Sequence, residues 1–374
     1  MYVHWPFCQA KCPYCDFNSH VSNYVDQSAW VKAYLSELDR LSALTPDRIV
    51  STIFFGGGTP SLMLPDTVAA IIERIRKNWR CANDIEITLE ANPTSVEAER
   101  FKGFRQAGVN RISMGIQALN DADLKLLGRL HSVAEAEKAF EIARTTFERV
   151  SFDLIYARQN QTAADWEAEL TRALGMAVDH LSLYQLTIED GTAFGDRFAR
   201  GGLRGLPGED LSADLFEITQ SITEDHGFAA YEVSNHAKTG EESRHNLVYW
   251  RGGDYVGVGP GAHGRFDAGG ARLATETHLA PTKWLDAVGA KGSGETSAAS
   301  LSKEEQALEY LLMSLRLAEG CDMERLHALD GNVISHNKIK ELADIEHLTT
   351  TQSRLIVPAQ SRILLNAILA QLVT

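Results

Sequence analysis

The sequence predicts an α/β fold, in which six strand-helix units form a partial or full parallel barrel and a small helical domain follows. Short β-branched or aromatic runs alternate with longer amphipathic stretches through the first half of the chain, which is typical of parallel strands joined by crossover helices. Residues 301–374 hold two or three helical stretches around the extended run Arg354 to Val357. That arrangement favours a helical domain with a β-wing, similar to a winged helix.

The predicted barrel strands are short apolar runs at Tyr2 to Trp5, Ile49 to Phe55, Ile85 to Leu89, Arg111 to Ile116, Ser151 to Tyr156 and Leu181 to Leu186. The predicted helices are amphipathic and cover Tyr24 to Leu44, Leu64 to Trp79, Val96 to Ala107, Asp121 to Leu127, Val133 to Phe147 and Ala163 to Met176. From about Leu206 the alternation weakens. We therefore predict a barrel over residues 1–205, an accessory segment over 206–300 and a C-terminal helical domain over 301–374.

Charge and hydropathy narrow the class of protein and its compartment. The formal net charge of −14 disfavours a general nucleic-acid binder, because phosphate backbones are held chiefly by Lys and Arg. The chain has no apolar run of about eighteen residues that would span a membrane. It opens on Tyr2-Val3-His4-Trp5, without the basic and then apolar pattern of a secretory signal. The predicted location is cytoplasmic, where thiols stay reduced.

Three of the five cysteines lie close together, in Cys8-Gln9-Ala10-Lys11-Cys12-Pro13-Tyr14-Cys15. Three thiols fit neither disulfide pairs nor a closed four-ligand zinc site. They fit a cubane iron-sulfur cluster that keeps one iron open to a small molecule. The alternatives are a zinc site completed by His4 or His20, and free thiols on a loop. Cys81 and Cys321 are isolated in the sequence.

Further motifs lie at the carboxyl ends of the predicted strands, where barrels place their ligands. Gly56-Gly57-Gly58-Thr59-Pro60 follows the second strand, Glu90-Ala91-Asn92-Pro93 closes the third, and Gln117 ends the fourth. Arg129 and Asp153 also lie at or after strand ends. Glycines leave the backbone bare for a ligand, although many strand ends carry glycine simply to turn. The motifs therefore converge on one rim of the predicted barrel.

The spacing CxxxCxxC resembles that of radical S-adenosylmethionine (SAM) proteins. The resemblance implies a partial (β/α)6, TIM-like radical SAM barrel with a C-terminal winged-helix-like domain. It also implies that Cys8, Cys12 and Cys15 bind a [4Fe-4S] cluster whose fourth iron is chelated by SAM. The positions that would line the SAM site are Tyr2, Tyr14, Gly57, Gly58, Thr59, Glu90, Gln117, Arg129 and Asp153. Amide, guanidinium and carboxylate groups suit the ribose hydroxyls and the methionine carboxylate, and Arg129 is the candidate partner of that carboxylate.

Several segments are similar to the HemW family of haem chaperones within this superfamily: Tyr2 to Cys8, Asp16 to His20, Gly56 to Ser61, Glu90 to Pro93, Arg111 to Gln117 and His245 to Trp250. Phe17 stands where the related oxygen-independent coproporphyrinogen III dehydrogenases carry a fourth cysteine. One stretch departs from the family pattern. After Asp153-Leu154-Ile155-Tyr156 the chain reads Ala157-Arg158-Gln159, where the family usually has Gly-Leu-Pro.

The segment His245-Asn246-Leu247-Val248-Tyr249-Trp250 resembles the HNxxYW motif that this family links with haem. In it His245 would bind haem iron, Tyr249 and Trp250 would offer flat apolar faces, and the flanking Arg244 and Arg251 would pair with propionates. A packed and hydrogen-bonded histidine is the structural alternative. His263 is a second candidate ligand.

The resemblance implies a chaperone that binds haem and delivers it to acceptor haemoproteins, with an electron donor such as a flavodoxin. A membrane encounter during delivery is compatible with this function, although no feature of the chain indicates one. The enzymatic alternative is coproporphyrinogen III dehydrogenase, which decarboxylates propionates by radical SAM chemistry. Radical modification of RNA is a further alternative that the acidic charge disfavours.

Overall fold

The computed structural model describes residues 1–373 and, apart from the side chains of Ser95 and Val96, all of their side chains. In chain order the strands are β1 Tyr2–Trp5, β2 Phe7–Cys8, β3 His20–Val21, β4 Ile49–Gly57, β5 Arg80–Ala91, β6 Arg111–Gln117, β7 Arg149–Tyr156, β8 His180–Gln185, β9 Ala229–Ala230, β10 Asn235–Ala237, β11 Gly257–Val258, β12 His263–Ala268, β13 Ala271–Thr277, β14 Glu295–Ser300, β15 Cys321–Asp322, β16 Thr349–Thr350 and β17 Arg354–Ile356.

The helices are α1 Gln27–Leu44, α2 Pro65–Asn78, α3 Ser95–Ala107, α4 Asp121–Leu126, α5 Val133–Thr146, α6 Ala163–Met176, α7 Ala193–Ala199, α8 Glu209–Asp225, α9 Arg244–Trp250, α10 Pro281–Lys291, α11 Lys303–Ser314, α12 Met323–Asp330, α13 His336–Asp344 and α14 Leu365–Leu372. Short 3-10 helices cover Pro60–Leu62, Gly331–Val333 and Ala359–Leu364. In the described part of the chain, residues 1–373, no helix is both long and apolar enough to cross a membrane.

The six predicted barrel strands are confirmed as the neighbouring parallel strands β1, β4, β5, β6, β7 and β8 of one sheet. Strand β5 begins earlier than the apolar run at Ile85 predicts. Arg80 and Cys81 already pair with Ile49 and Val50 of β4, so backbone pairing extends the strand through residues whose side chains carry no strand signal.

The sheet is extended at both edges by short strands that lie far away in the sequence. Strand β11 pairs parallel with β1, and β10 pairs antiparallel with β8 and carries β9 at its outer side. Within residues 1–373 the strand order runs from β11 at one edge to β9 at the other. The sheet is therefore an open, partial barrel, as the sequence predicts.

Helices cover the outer face of this sheet because each carries an apolar stripe and a defined start. In α2 the residues Val68, Ile71, Ile72 and Ile75 recur at helical spacing, and all are buried, so that one face packs on the sheet. Helices α5 and α6 each begin with a capping box, formed in α5 by Ser132 and Glu135.

The C-terminal part has its own core. Apolar side chains of α11, α12, α13, β17 and α14 form a cluster separate from that of the barrel, with Leu311, Leu326, Leu342, Leu355 and Leu369 among its members. Strands β15, β17 and β16 form a small antiparallel sheet beside these helices. The predicted helical domain with a β-wing is thus confirmed as a fold. The domain boundaries remain predictions, and the predicted end at Thr374 lies outside the described residues.

Candidate functional site

A cavity of about 640 Å³ lies at the carboxyl ends of the barrel strands. Most of the side chains predicted for the cluster and SAM line it: Cys8, Cys12, Cys15, Tyr14, Gly57, Gly58, Thr59, Glu90, Gln117, Arg129 and Asp153. Cys8 ends β2, Arg129 follows helix α4, and the others come from the loop after β2, from β4, β5, β6 and β7 near their carboxyl ends, or directly after β4. The parallel sheet brings these strand ends together. Tyr2 and His245 instead line a neighbouring cavity of about 190 Å³, which Glu90 and Asp153 also line.

Cys8 is the last residue of β2, and Cys12 and Cys15 lie on the loop that joins β2 to β3. The parallel pairing of these two strands closes the base of the loop. Thr59 Oγ1 donates a hydrogen bond to Cys8 Sγ at 3.4 Å. Burial raises the pKa of the Cys8 and Cys15 thiols. Among residues 1–373 no group of three His, Cys, Asp or Glu side chains is placed to hold a single metal ion.

Asn18 fastens the end of this loop to the accessory segment. Its side-chain Nδ2 donates to the carbonyl oxygens of Pro260 and Leu279, both at 3.0 Å. Its backbone oxygen hydrogen bonds with His4 Nε2 at 2.9 Å, and its Oδ1 with His20 Nε2 at 3.1 Å. The two histidines considered as zinc ligands are therefore both engaged by Asn18.

Glycine is required after β4 because the cysteine loop and β1 pack closely against it. Gly57 has φ of +112°, and a Cβ there would lie 2.7 Å from the His4 ring. A Cβ on Gly58 would lie 2.7 Å from the carbonyl oxygen of Phe7. The glycines thus allow the strand end to approach the loop that carries the cysteines, a packing role in addition to the bare backbone that the sequence predicts.

Arg129 connects the cysteine loop with two strand ends. Its NH1 donates to Cys12 Sγ at 3.3 Å, and its NH2 donates to Asn92 Oδ1 at 2.6 Å and to the Gly115 oxygen at 2.7 Å. The Nε is buried and has no hydrogen-bond partner within residues 1–373. Burial lowers the pKa of Arg129, but Tyr14 and Cys12 outweigh that effect and hold the pKa above its usual value. The guanidinium stays charged beside a sulfur.

Two carboxyl groups at the base of the cavity have strongly raised pKa values. Burial, reinforced by the charge of Asp153, raises the pKa of Glu90 to about 8. Burial also raises the pKa of Asp153 to about 6. Gly57 donates its backbone N–H to Glu90 Oε2 at 3.3 Å. A protonated carboxyl donates a hydrogen bond as well as accepting one, so Glu90 can pair with a ligand hydroxyl in either direction near neutral pH.

Gln117 reaches the cavity through an unusual backbone conformation. Its φ is +78°, in the left-handed region that non-glycine residues rarely adopt. The pairing of β6 with β7 shifts register between Gly115 and Gln117. This irregularity marks the end of the strand, and such strained residues cluster at functional sites.

The predicted haem ligand His245 lies in the core, with 1% of its surface exposed. Its Nδ1 hydrogen bonds with Thr52 Oγ1 and its Nε2 with Tyr249 OH, both at 2.8 Å. Its ring stacks on Phe54 at a centroid distance of 4.9 Å. Tyr2 also stacks on Phe54 in this cluster, and its hydroxyl hydrogen bonds with His4 Nδ1 at 3.0 Å. In this geometry both ring nitrogens of His245 are occupied by neighbours.

The rest of the HNxxYW segment lies in α9. Tyr249 and Trp250 line a third cavity, of about 1140 Å³, which is larger than the other two and lies between the barrel, the accessory segment and the C-terminal domain. Each flanking arginine has an acidic partner: Arg244 pairs with Asp84 at 3.0 Å and Arg251 with Glu319 at 2.8 Å. His263 is exposed, with its Nδ1 3.9 Å from Glu276 Oε1.

The sequence reasoning did not single out four residues that line the cavities. Asn92 accepts from Arg129 and donates to Thr59 Oγ1 at 3.2 Å, and its place in Glu90-Ala91-Asn92-Pro93 was a usable signal. Tyr184, Arg316 and Arg362 also line the 640 Å³ cavity. The last two belong to the C-terminal part, and no sequence motif marks them.

Comparisons with a family model, with curated proteins and with solved structures all find radical SAM proteins or their structural relatives. Residues 2–173 match the family model described as Radical SAM superfamily. The chain is 36% identical over 352 residues to the heme chaperone HemW of Haemophilus influenzae, covering 92% of this chain and 88% of that protein. It is 42% identical over 325 residues to the mitochondrial radical S-adenosyl methionine domain-containing protein 1 of Mus musculus, covering 86% and 73%. Its fold is similar to that of coproporphyrinogen III oxidase (HemN) from Escherichia coli, with a TM-score of 0.81 and 21% identity over 99% and 88% of the two chains.

Proposed function

The chain belongs to the HemW family of haem chaperones within the radical SAM superfamily, and from this premise we propose that it binds haem and passes it to acceptor haemoproteins. We further propose that the 640 Å³ cavity holds a [4Fe-4S] cluster and SAM. The observation that carries the proposal is that the three loop cysteines and the polar strand ends share this one cavity.

The donor set around the cysteines fits a cluster with an open iron. Cys8, Cys12 and Cys15 would supply the three thiolates. Thr59 and Arg129 donate to two of the sulfurs, and hydrogen bonds to ligand sulfur stabilise the thiolate form and tune a cluster. The volume of the cavity lies in the range of small-molecule sites.

The neighbouring polar groups fit SAM. Arg129 would pair with the methionine carboxylate, while Glu90, Gln117 and Asp153 would hydrogen bond with the amino and ribose groups. When bound, the cluster and SAM supply one-electron cleavage of the sulfonium carbon-sulfur bond. The part of the protein is to orient the cofactor and to exclude water. Ile363 and Leu365 of the C-terminal part line the cavity opposite the barrel and would provide that cover.

We propose that haem binds in the 1140 Å³ cavity, where Tyr249 and Trp250 would contact the macrocycle. For His245 to bind the iron, its Nε2 must give up its hydrogen bond to Tyr249, so haem ligation by His245 stays a prediction. An electron donor such as a flavodoxin and a cytoplasmic location are part of the same proposal.

Anaerobic reconstitution with iron and sulfide, followed by titration with haemin, tests this function. We expect an iron-sulfur spectrum that changes on addition of SAM, and a saturable Soret shift with haemin. The matched variant is His245→Ala: an unchanged Soret shift and affinity would remove His245 as the ligand. Formation of protoporphyrinogen IX from coproporphyrinogen III in an anaerobic assay would replace the chaperone proposal by the enzymatic alternative.

A further inference from the structure

Two arginines of the C-terminal part line the 640 Å³ cavity together with the residues of the cysteine loop. Arg316 follows helix α11, and Arg362 lies in the 3-10 helix Ala359–Leu364. The sequence-based reasoning gives neither a role, and the cluster and SAM proposal uses neither. The C-terminal domain thus brings two positive charges to a cavity built mainly by the barrel.

Neither guanidinium has a carboxylate partner. The Nε of Arg316 is buried and donates no hydrogen bond within residues 1–373. The contact that fixes its guanidinium is the ring of Trp250, whose centroid lies 5.2 Å away. Arg362 NH1 donates to the oxygen of Ala230 at 3.3 Å. In the described chain neither arginine forms an ion pair within 4.0 Å.

Glu232 is the acidic group that acts on both arginines electrostatically. It is 2% exposed, and its Oε1 already accepts from Ser234 N at 3.0 Å and from Asn235 Nδ2 at 2.5 Å. Burial raises the pKa of Glu232, which disfavours its charged form. Because so little negative charge balances these two guanidinium groups, they favour the binding of an anion in the cavity that they line.

The position of Arg316 indicates which anion. Tyr184, Ser234 and Arg316 line both the 640 Å³ and the 1140 Å³ cavities, so Arg316 stands where the two meet. One face of its guanidinium covers Trp250, an aromatic surface of the large cavity. A flat apolar surface beside an unpaired guanidinium suits a planar conjugated ligand that carries a carboxylate.

We propose that Arg316 and Arg362 form a carboxylate clamp that holds a propionate of a tetrapyrrole at the junction of the two cavities. This inference rests on the proposed haem function and adds the group that recognises the acidic edge of the ligand. It replaces the pairing with propionates expected for Arg244 and Arg251, because these two are already paired with Asp84 and Glu319.

The test is the affinity for porphyrins with free and with blocked carboxylates. Haemin and metal-free protoporphyrin IX are titrated by absorbance and by fluorescence, beside the dimethyl ester of each. The variants are Arg316→Gln, Arg362→Gln, the double glutamine variant that combines these two substitutions, and the conservative Arg316→Lys. Arg251→Gln tests the pairing expected from the sequence, and Arg105→Gln, an exposed arginine paired with Glu148, is the control for removal of one charge.

The clamp predicts that each glutamine variant binds both free porphyrins about tenfold more weakly, the loss expected for one charge-assisted pair. Arg316→Lys recovers part of the affinity. Wild type binds the dimethyl esters as weakly as the double glutamine variant binds the free acids, and Arg251→Gln and Arg105→Gln bind as wild type does. Circular dichroism checks that each variant is folded.

The outcomes separate this inference from the proposed function. Two results overturn the clamp and leave the haem function standing. In the first, the glutamine variants bind the free porphyrins as tightly as wild type does. In the second, wild type binds the dimethyl esters as tightly as the free acids. A loss confined to Arg251→Gln overturns the clamp in favour of the pairing expected from the sequence. If wild type binds neither haemin nor protoporphyrin IX, the haem function and the clamp fall together.

Discussion

The cysteine loop and helix α9 both carry residues that are typical metal ligands, yet their surroundings differ. In the loop region, Cys12 and Arg129 face a cavity, and the Arg129 Nε has no partner among residues 1–373. In α9, His245 is enclosed by aromatic rings and both of its ring nitrogens are hydrogen-bonded. The first region leaves a guanidinium nitrogen free for a cofactor, whereas His245 has no free ring nitrogen, although Trp250 Nε1 in the same helix is buried without a partner among residues 1–373. Polar atoms that lack a hydrogen-bond partner, more than the type of residue, distinguish a ligand-binding site from a packed core.

The largest effect is expected in the loop. Replacing Cys12 by serine removes one thiolate, and we expect the iron content after anaerobic reconstitution to fall from about four per chain to near zero. Iron analysis and the visible spectrum measure this loss. Cys81→Ser, outside the loop, is the control and should retain its iron. A Cys12→Ser protein that still holds a full cluster would contradict the assignment.

Arg129→Gln sharpens the comparison within the same cavity. The substitution keeps a hydrogen-bonding side chain but removes the charge proposed to meet the methionine carboxylate. We expect SAM to bind about tenfold more weakly, while the iron content stays near that of wild type. Equilibrium dialysis of SAM against the reconstituted protein gives the affinity. Equal SAM binding in wild type and Arg129→Gln would show that the cofactor carboxylate is held elsewhere.

His245→Gln tests whether α9 is held as a packed core. The substitution leaves the Thr52 and Tyr249 hydroxyls poorly paired and opens space beside Phe54. We expect the free energy of unfolding of the cofactor-free protein to fall by about 2 kcal/mol. Urea denaturation measures this change, with the exposed His226→Gln as control. If stability is unchanged while haem binding is lost, His245 serves as a ligand and not as a core residue.

Glu90→Gln is expected to have the smallest effect, and one that depends on pH. Folded protein holds the Glu90 proton up to about pH 8, whereas an ordinary glutamate releases it near 4.5. The stability from the protonated carboxyl is fully present below pH 4.5 and is lost as the pH rises through 8. Glutamine stays neutral, so the variant should melt about 2 °C higher than wild type at pH 8.5.

At pH 4.5 the two proteins should melt at similar temperatures, because Glu90 is then protonated in the folded protein and half protonated in the unfolded chain, so that little free energy separates the two states of the carboxyl. Scanning calorimetry of cofactor-free protein gives the difference between the two pH values, with the exposed Glu148→Gln as control. A difference of equal size at both pH values would show that the carboxyl is not protonated in the folded protein.

Local pattern was sufficient to predict the parallel strands and the residues at their ends. Gly57, Glu90 and Gln117 share a cavity because they lie at the carboxyl ends of neighbouring strands, and strand neighbours can be inferred from alternation. The edge strands could not be predicted, since β10 and β11 have few residues and gain their order from pairing with β8 and β1.

The hydrogen bonds and the surroundings of each side chain could not be predicted either, because they depend on residues that are distant in the sequence. His245 is satisfied by Thr52, 193 positions away. Arg316 and Arg362 reach the cavity only because a separate core places the C-terminal part over the barrel mouth. Tyr2, predicted to lie beside SAM, lines the smaller cavity with His245, Glu90 and Asp153, and its role at the SAM site stays a prediction.

The bonds made by Asn18 bear on the order of events during synthesis of the protein. Its side chain contacts carbonyl groups that lie 242 and 261 positions further along the chain. A nascent polypeptide still short of Leu279 lacks at least one of these two bonds, while the pairing of β2 with β3 and the bond to His4 already hold the loop. We therefore expect the loop to gain its final support only after residue 279 has been made, so that a chain truncated before that residue would hold its inorganic centre less firmly.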